Sequence, residues 1–322
     1  MSTMKAIVQE GYGSADVFRL REIEMPPVAD DGVLVKVSAA SVNALDWHLR
    51  RRLPHLVGML LRSPRVRARG VDLAGRVEAV GRSVTRFRPG DEVFGAGRGS
   101  FAEYVTTSEE RLAPKPRSLT FEQAAALPVA GLSALQGLRD GARLRPGQSV
   151  LVHGAGGGVG TFAVLIAKAL GAHVTAVSRT ENLDLLRSIG ADDVIDYTKA
   201  DFTRSGRSYD VVFDVGADRS FAECRRVLTA DGTLVLAGAS TETSRVVARL
   251  LAAPLLSRLG RRRYAVLMAR VTHADLVALK DLAEAGRLTP VIDRTYPLSR
   301  AADAVRYVGT RQARGKVVIT VA

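Results

Sequence analysis

The run LVHGAGGGVGTFAVLIAKALGAHVTAVSR, Leu151–Arg179, leaves few folds open to this chain. It begins in an apolar strand, SVLVHGA, and breaks at a cluster of glycines. It continues as a helix, VGTFAVLIAKALGA, closed at Gly171, and ends in a second strand, HVTAVSR. A strand, a tight turn, a helix and another strand make a βαβ unit, the building block of a parallel sheet. A literal G-x-G-x-x-G is absent; at that spacing stand Ala155, Gly157 and Gly160. Gly157 lets the backbone approach a pyrophosphate, and Gly160 lets the helix pack closely on its strand. Ala155 asks only for a compatible turn, and Gly158 and Val159 carry the loop into the helix. The N–H groups at that helix start then face the phosphates. Strand before and helix after are the context that turns a glycine motif into a dinucleotide site.

The end of the second strand bears on which dinucleotide. A site for NAD wants a carboxylate there, on the ribose 2′-hydroxyl. This chain has Ser178 and Arg179, and the nearest acid, Glu181, lies past the strand. A hydroxyl and a planar guanidinium suit a 2′-phosphate, so NADPH is the expected cofactor. The competing reading makes Arg179 a solvated arginine at a helix end.

Strand and helix patterns alternate from about Thr120 onward, which predicts a doubly wound parallel sheet. TFEQAAALPVAG is a helix start, YDVVFDV and GTLVLAG are strands, SFAECRRVL is a helix, and YAVLMAR suits a sixth strand at the sheet edge. The first third reads differently. MKAIVQE, VLVKVSAASV, GRVEAVG, DEVFGAG and FAEYVTT are short apolar runs separated by Gly, Pro or Asp, as in a tight antiparallel barrel. The tail GKVVITVA returns to strand character. The expected order is therefore a barrel over 1–122, a Rossmann domain over 123–290, and a return segment over 291–322 that completes the barrel.

With 322 residues, two cores are expected rather than one. One cysteine, Cys224, excludes an internal disulfide and any cysteine-rich zinc site. No signal-peptide pattern or membrane-length apolar run is present, and a cytoplasmic location is expected. The net charge of +13 comes mostly from arginines, clustered in His48–Gly70 and Leu256–Arg270. No aromatics interleave with them as a base-stacking surface would need, so no stable nucleic-acid or membrane partner is expected. A positive field also favours capture of a phosphorylated cofactor.

GVDLAGRVEAVGRSVTRFRPGDEVFG (Gly70–Gly95), SVNALDWHLR (Ser41–Arg50), LPVAGLSALQGL and the glycine loop together resemble the medium-chain dehydrogenase/reductase superfamily. The resemblance is to its zinc-independent quinone oxidoreductase branch, the zeta-crystallin-like proteins and their enoyl-reductase relatives. It covers essentially the whole chain. It implies a GroES-like barrel, a Rossmann domain, and NADPH-dependent reduction in the cleft between them, in a homodimer. It also implies that Asn43 and Ser133 lie near the nicotinamide, and that Ser178 and Tyr197 approach the adenosine phosphate. Val215, Ala237 and Gly238 would line the cofactor, and Arg311 and Lys316 lie in a segment that returns across it. Zinc members carry Cys where Asn43 stands and His–Glu where Val71–Asp72 stands, so no metal is expected. Asp46 and His48 are the remaining side chains that a rescued metal could use, against a structural role for both.

Without a metal, something else must steady negative charge on the acceptor oxygen. A quinone or an α,β-unsaturated carbonyl forms a far more stable anion than a simple alkoxide, and a polar donor suffices for it. The candidate catalytic residues are Asn43, as an orienting hydrogen-bonder, and Asp46, as its support or a polar wall. Asp46 is equally open to a structural role in the barrel backbone. Two leucine- and arginine-rich segments, 51–70 and 240–266, are expected to cap the site with an apolar lid, suiting an apolar small-molecule acceptor; the second alternatively forms a dimer or membrane contact. A second functional class stays open: an NADPH-binding protein with little turnover that engages a partner or a nucleic acid.

Overall fold

The computed structural model describes residues 2–49, 68–238, 252–253, 256–258 and 260–321. The chain divides into two compact units, Met1–Ala130 with Val271–Ala322, and Gly131–Arg270. Most of the two expected lid segments lies outside the described residues.

The first unit is built on strands that pair antiparallel except for Ile292–Pro297 with Lys316–Thr320, which run parallel. β1 (Thr3–Gln9) and β2 (Phe18–Glu24) pair with each other. The larger sheet runs β14 (Ile292–Pro297), β15 (Lys316–Thr320), β3 (Gly32–Val42), β4 (Asp72–Val80), β5 (Glu92–Ala96) and β7 (Leu112–Pro114), with β6 (Tyr104–Ser108) also on β3. β3 is the organising strand because Val33, Val35 and Val37 point into one core with Leu73, Val93, Val105, Val317 and Ile319. Close strand approach needs small residues: a Cβ on Gly75 would lie 2.1 Å from the Lys36 carbonyl oxygen. The C-terminal strand β15 pairs antiparallel with β3, Val317 opposite Val42, so the tail does return to the barrel.

The helix His273–Glu284, N-capped by the Thr272 hydroxyl, buries Leu276, Leu279 and Ala283. Ser118 Oγ donates to the Ala283 carbonyl, and the His273 ring meets the Leu112 carbonyl at 2.7 Å. Residues 271–290 therefore sit in the first unit, where the sequence placed them with the Rossmann domain. Amphipathic periodicity finds a helix but does not say which core takes its apolar face.

The second unit holds a six-stranded parallel sheet among the described residues, in the order β10 (Asp193–Asp196), β9 (His173–Ser178), β8 (Ser149–His153), β11 (Tyr209–Asp214), β12 (Leu228–Leu236), β13 (Arg263–Val266). The central strands are buried on both faces, so β8, β11 and the Thr233–Leu236 half of β12 are largely apolar. Connecting helices are Gly158–Ala169, Leu183–Ser188 and Phe221–Arg226, the last opened by a Ser220/Glu223 capping box. Strand order reverses between β8 and β11, and a ligand of such a sheet binds beyond the strand ends at that switch point. Among the described residues no helix is long and apolar enough to cross a membrane.

Candidate active site

Two groups of residues carry chemistry, one in each unit. In the second unit the glycine loop leaves β8 and enters the helix Gly158–Ala169, with Gly157 as its N-cap. The three small residues do different work. Ala155 is fully buried and donates its N–H to the Val177 carbonyl at 3.1 Å, tying the turn to β9. A Cβ on Gly160 would lie 2.2 Å from the Gly154 carbonyl oxygen, so this glycine is required by the protein's own backbone. A Cβ on Gly157 would meet nothing nearer than 3.7 Å. Its φ of −87° suits any residue, so packing does not explain glycine there. The open space in front of Gly157, at the N–H-bearing start of a helix opened by Gly158 and Val159, fits a pyrophosphate. The donor set therefore suits a dinucleotide.

At the end of β9, Ser178 is buried and its Oγ accepts from Asn182 Nδ2 at 2.9 Å. Asn182 also crowds Gly156, where a Cβ would fall 2.2 Å from Nδ2. Asn182 Oδ1 is buried without a hydrogen-bond partner, an orphan acceptor beside the loop that suits a hydroxyl donor on a bound ligand. Sequence reasoning missed Asn182; its only signal was a polar residue four positions after the end of β9. Arg179 lies 3.5 Å from Glu181 through its Nε. Tyr197 is half-exposed, and its N–H donates to the Ser178 carbonyl at 3.0 Å. Val215, Ala237 and Gly238 do meet: the Ala237 and Gly238 N–H groups donate to the Asp214 carbonyl at 2.9 and 3.0 Å. A Cβ on Gly238 would lie 2.1 Å from the Val215 oxygen. Ser133 is buried in the helix Pro128–Gln136.

In the first unit, Asn43 is clamped from three sides. Its backbone N–H donates to Asp46 Oδ2 at 2.8 Å, its Nδ2 donates to Asp72 Oδ2 at 2.9 Å, and its Oδ1 accepts from Lys316 Nζ at 2.8 Å. Asp72, fully buried in β4, also accepts from Ser41 Oγ at 2.8 Å and from the Val129 N–H at 3.0 Å. Lys316 is buried at the start of β15, and its ammonium reaches three acceptors: Asn43 Oδ1, the Val42 carbonyl at 3.3 Å and Asp72 Oδ2 at 3.4 Å. An ammonium has three donors, so Lys316 spends all of them within the barrel, behind Asn43. Arg311 lies on the surface at the C-terminal end of the helix Ala301–Gly309, in left-handed conformation at φ 60°.

Asp46 is the third residue of the helix Ala44–Leu49, and its carboxylate returns to the Asn43 N–H as one half of a capping box. Burial pushes its carboxyl up from 3.8 to about 7; the Asn43 hydrogen bond opposes this, Asp72 adds to it, and Lys316 and Arg69 oppose it. The unfolded chain ionises this group near 3.8, so native stability from Asp46 is present below that pH and is lost as pH rises to about 7. Asp46→Asn keeps an oxygen for the Asn43 N–H but cannot ionise. Its unfolding free energy relative to wild type is expected to gain by up to about 1.4 kcal/mol per pH unit across that window, read by denaturant titration.

The described side chains around Asn43 do not make a metal site. Among the described residues no group of three or more His, Cys, Asp or Glu side chains could hold one. Asp72 already faces an ammonium, and Asp46 is committed to a backbone N–H. Trp47 packs on the helix Ala301–Gly309, where a Cβ on Gly309 would lie 2.4 Å from the indole.

Comparison with known proteins agrees with this architecture. Residues 29–117 match the alcohol dehydrogenase GroES-like domain family, and residues 189–319 match the zinc-binding dehydrogenase family. The 2-methylene-furan-3-one reductase of Solanum lycopersicum is 36% identical, over 99% of this chain and 79% of its own. The chloroplastic NADPH-dependent alkenal/one oxidoreductase of Arabidopsis thaliana is 35% identical, over 98% of this chain and 79% of its own. The structure of the quinone oxidoreductase from Coxiella burnetii superposes with a TM-score of 0.88 at 30% identity, covering 100% of both chains. This chain belongs to the medium-chain dehydrogenase/reductase superfamily, in its quinone oxidoreductase branch. The zinc-binding description of one matched family is not echoed in the donor set around Asn43.

Proposed function

We propose that this protein is an NADPH-dependent oxidoreductase that reduces an apolar quinone or α,β-unsaturated carbonyl. One observation carries the reading: where a metal ligand would stand, the barrel presents an amide whose two ends are fixed by opposite charges. Asp72 takes one N–H of Asn43 and Lys316 takes one lone pair of its oxygen. One N–H and one lone pair of the amide are left to orient a carboxamide or an acceptor oxygen. Such a donor steadies an enolate or hydroquinone anion but is weak against an alkoxide. The reductases of alkenals and furanones among the relatives support the same chemistry.

NADPH supplies a hydride when bound. The chain's part is to hold the pyrophosphate at Gly157, to aim Asn43, and to leave the balancing proton to water. The test is NADPH and NADH oxidation against a panel of quinones, enones, aldehydes and alcohols, with the products identified. Turnover of conjugated acceptors is expected; turnover confined to alcohols and aldehydes, or none with any acceptor, would overturn the reading.

Preference for NADPH rests on Ser178 and Arg179 at the end of β9, a strand that itself ends without a carboxylate; Glu181, two residues beyond Arg179, lies 3.5 Å from its Nε. Arg179→Ala is expected to raise the KM for NADPH about tenfold and to leave that for NADH within about twofold, since a charged hydrogen bond to phosphate contributes about 1.5–3 kcal/mol. Equal kcat/KM for both cofactors in the wild type would end the preference.

A further inference from the structure

The two strands that flank the switch point are joined by a buried pair. His153 closes β8 and Asp214 closes β11, and Nδ1 lies 2.8 Å from Asp214 Oδ1. Exposure of the two side chains is 7% and 0%, so the contact is not a surface ion pair. The imidazole packs on Phe202 in a tilted arrangement, 5.0 Å between ring centroids, and the Arg219 guanidinium also lies over that phenyl ring, 5.4 Å from its centroid. Its second nitrogen, Nε2, lies 3.3 Å from Asp218.

The other groups around His153 belong to the end of β11 and the turn that follows it. The Val215 and Gly216 N–H groups both donate to the His153 carbonyl, at 2.9 and 3.2 Å. Asp214 Oδ1 also accepts the Ala217 N–H at 2.9 Å, and Ala217 is held at φ 59°, a conformation that costs a non-glycine residue. A Cβ on Gly216 would lie 2.5 Å from the imidazole. The ring is therefore the floor on which the turn 215–218 rests. A parallel sheet needs no such bridge, because its ladder already joins β8 to β11.

We propose that His153 is a positioning residue that, through Asp214, sets the turn 215–218 where the second half of the dinucleotide lies. This deepens the functional reading above and rests on it. In a doubly wound sheet the β8–β10 half receives the adenosine side, and the β11–β13 half receives the nicotinamide side. A brace at the junction governs how the second half sits relative to the first. Its polar contacts run to the second half, to Asp214 and Asp218.

That asymmetry supplies the test. Binding of NADPH and of adenosine 2′,5′-bisphosphate is measured by calorimetry on the wild type, His153→Leu, His153→Asn and His153→Gln. In H153L the dissociation constant for NADPH is expected to rise about tenfold while that for the bisphosphate stays within about twofold, since small misplacement of a positioning group is costly. Asn places an amide nitrogen where Nδ1 stands, so H153N is expected to recover affinity to within about threefold of wild type. Gln carries its amide past that point, and H153Q is expected to resemble H153L. Should H153L fail to fold, the contrast between Asn and Gln carries the test. NADPH binding in H153L or H153Q within twofold of wild type, or equal loss for both ligands, would overturn the brace. A wild type that binds neither ligand would instead sink the cofactor assignment.

Discussion

Lys316→Met is expected to be the most damaging single substitution in the barrel unit. The ammonium is buried and satisfies Asn43 Oδ1, the Val42 carbonyl and Asp72 Oδ2. Methionine fills similar volume but leaves Asp72 buried with no cation beside it. Breaking a buried ion pair by removing one partner costs about 3–5 kcal/mol, because the remaining charge stays desolvated. For a unit of this size the loss corresponds to a fall in Tm of roughly 10 °C, read by thermal unfolding. Burial pulls the Lys316 ammonium below its usual range while Asp72 and Asp46 hold it up. Activity has a separate expectation. With its oxygen released, Asn43 loses the charge that fixes which end of the amide faces outward, and kcat in the remaining folded protein is expected to fall by at least about tenfold. K316M with wild-type Tm and turnover would show that the ammonium is incidental.

The glycine loop makes the second large prediction through a contrast. Gly157→Ala is expected to fold with stability within about 1 kcal/mol of wild type, since only the mild loss of a glycine N-cap is involved. Nothing lies within 3.7 Å of the added carbon except the Gly154 oxygen at that distance. NADPH affinity is nonetheless expected to fall about a hundredfold, because the methyl stands where the pyrophosphate approaches. Gly160→Ala is expected to do the reverse in order of cause. Its Cβ would lie 2.2 Å from the Gly154 oxygen and 2.7 Å from Ala155, so the helix must move off β8 and Tm falls first. Calorimetric titration with NADPH, paired with thermal unfolding of each variant, separates the two. If G157A binds as the wild type does, the space before Gly157 holds no phosphate.

Much of this was readable from the chain because it is local. The strand–glycine–helix run, the Ser178–Arg179 pair at a strand end, and the Gly171 stop at φ 80° are properties of neighbouring residues. His153 was missed for the opposite reason. His153 looks like one more residue of an apolar strand, and its partner Asp214 is 61 positions away. Asp72 was noticed only as a departure from a zinc pattern, yet it is the carboxylate on which Ser41, Asn43, Val129 and Lys316 converge. Lys316 was read only as part of a segment that returns across the cofactor; its ammonium is buried against Asn43, the Val42 carbonyl and Asp72, partners no local pattern reveals.

The chain alone determined the alternation of strands and helices, the dinucleotide loop and the return of the tail, since periodicity and turn chemistry act over a few residues at a time. Only the tertiary structure decided which unit owns the helix His273–Glu284 and which buried charges face one another. Those outcomes depend on strand register and on pairings across 29 to 273 positions of sequence, such as Asn43 with Asp72 and with Lys316. Burial then makes each pairing consequential, because a charge left without its partner in that interior costs a large fraction of the stability of the unit.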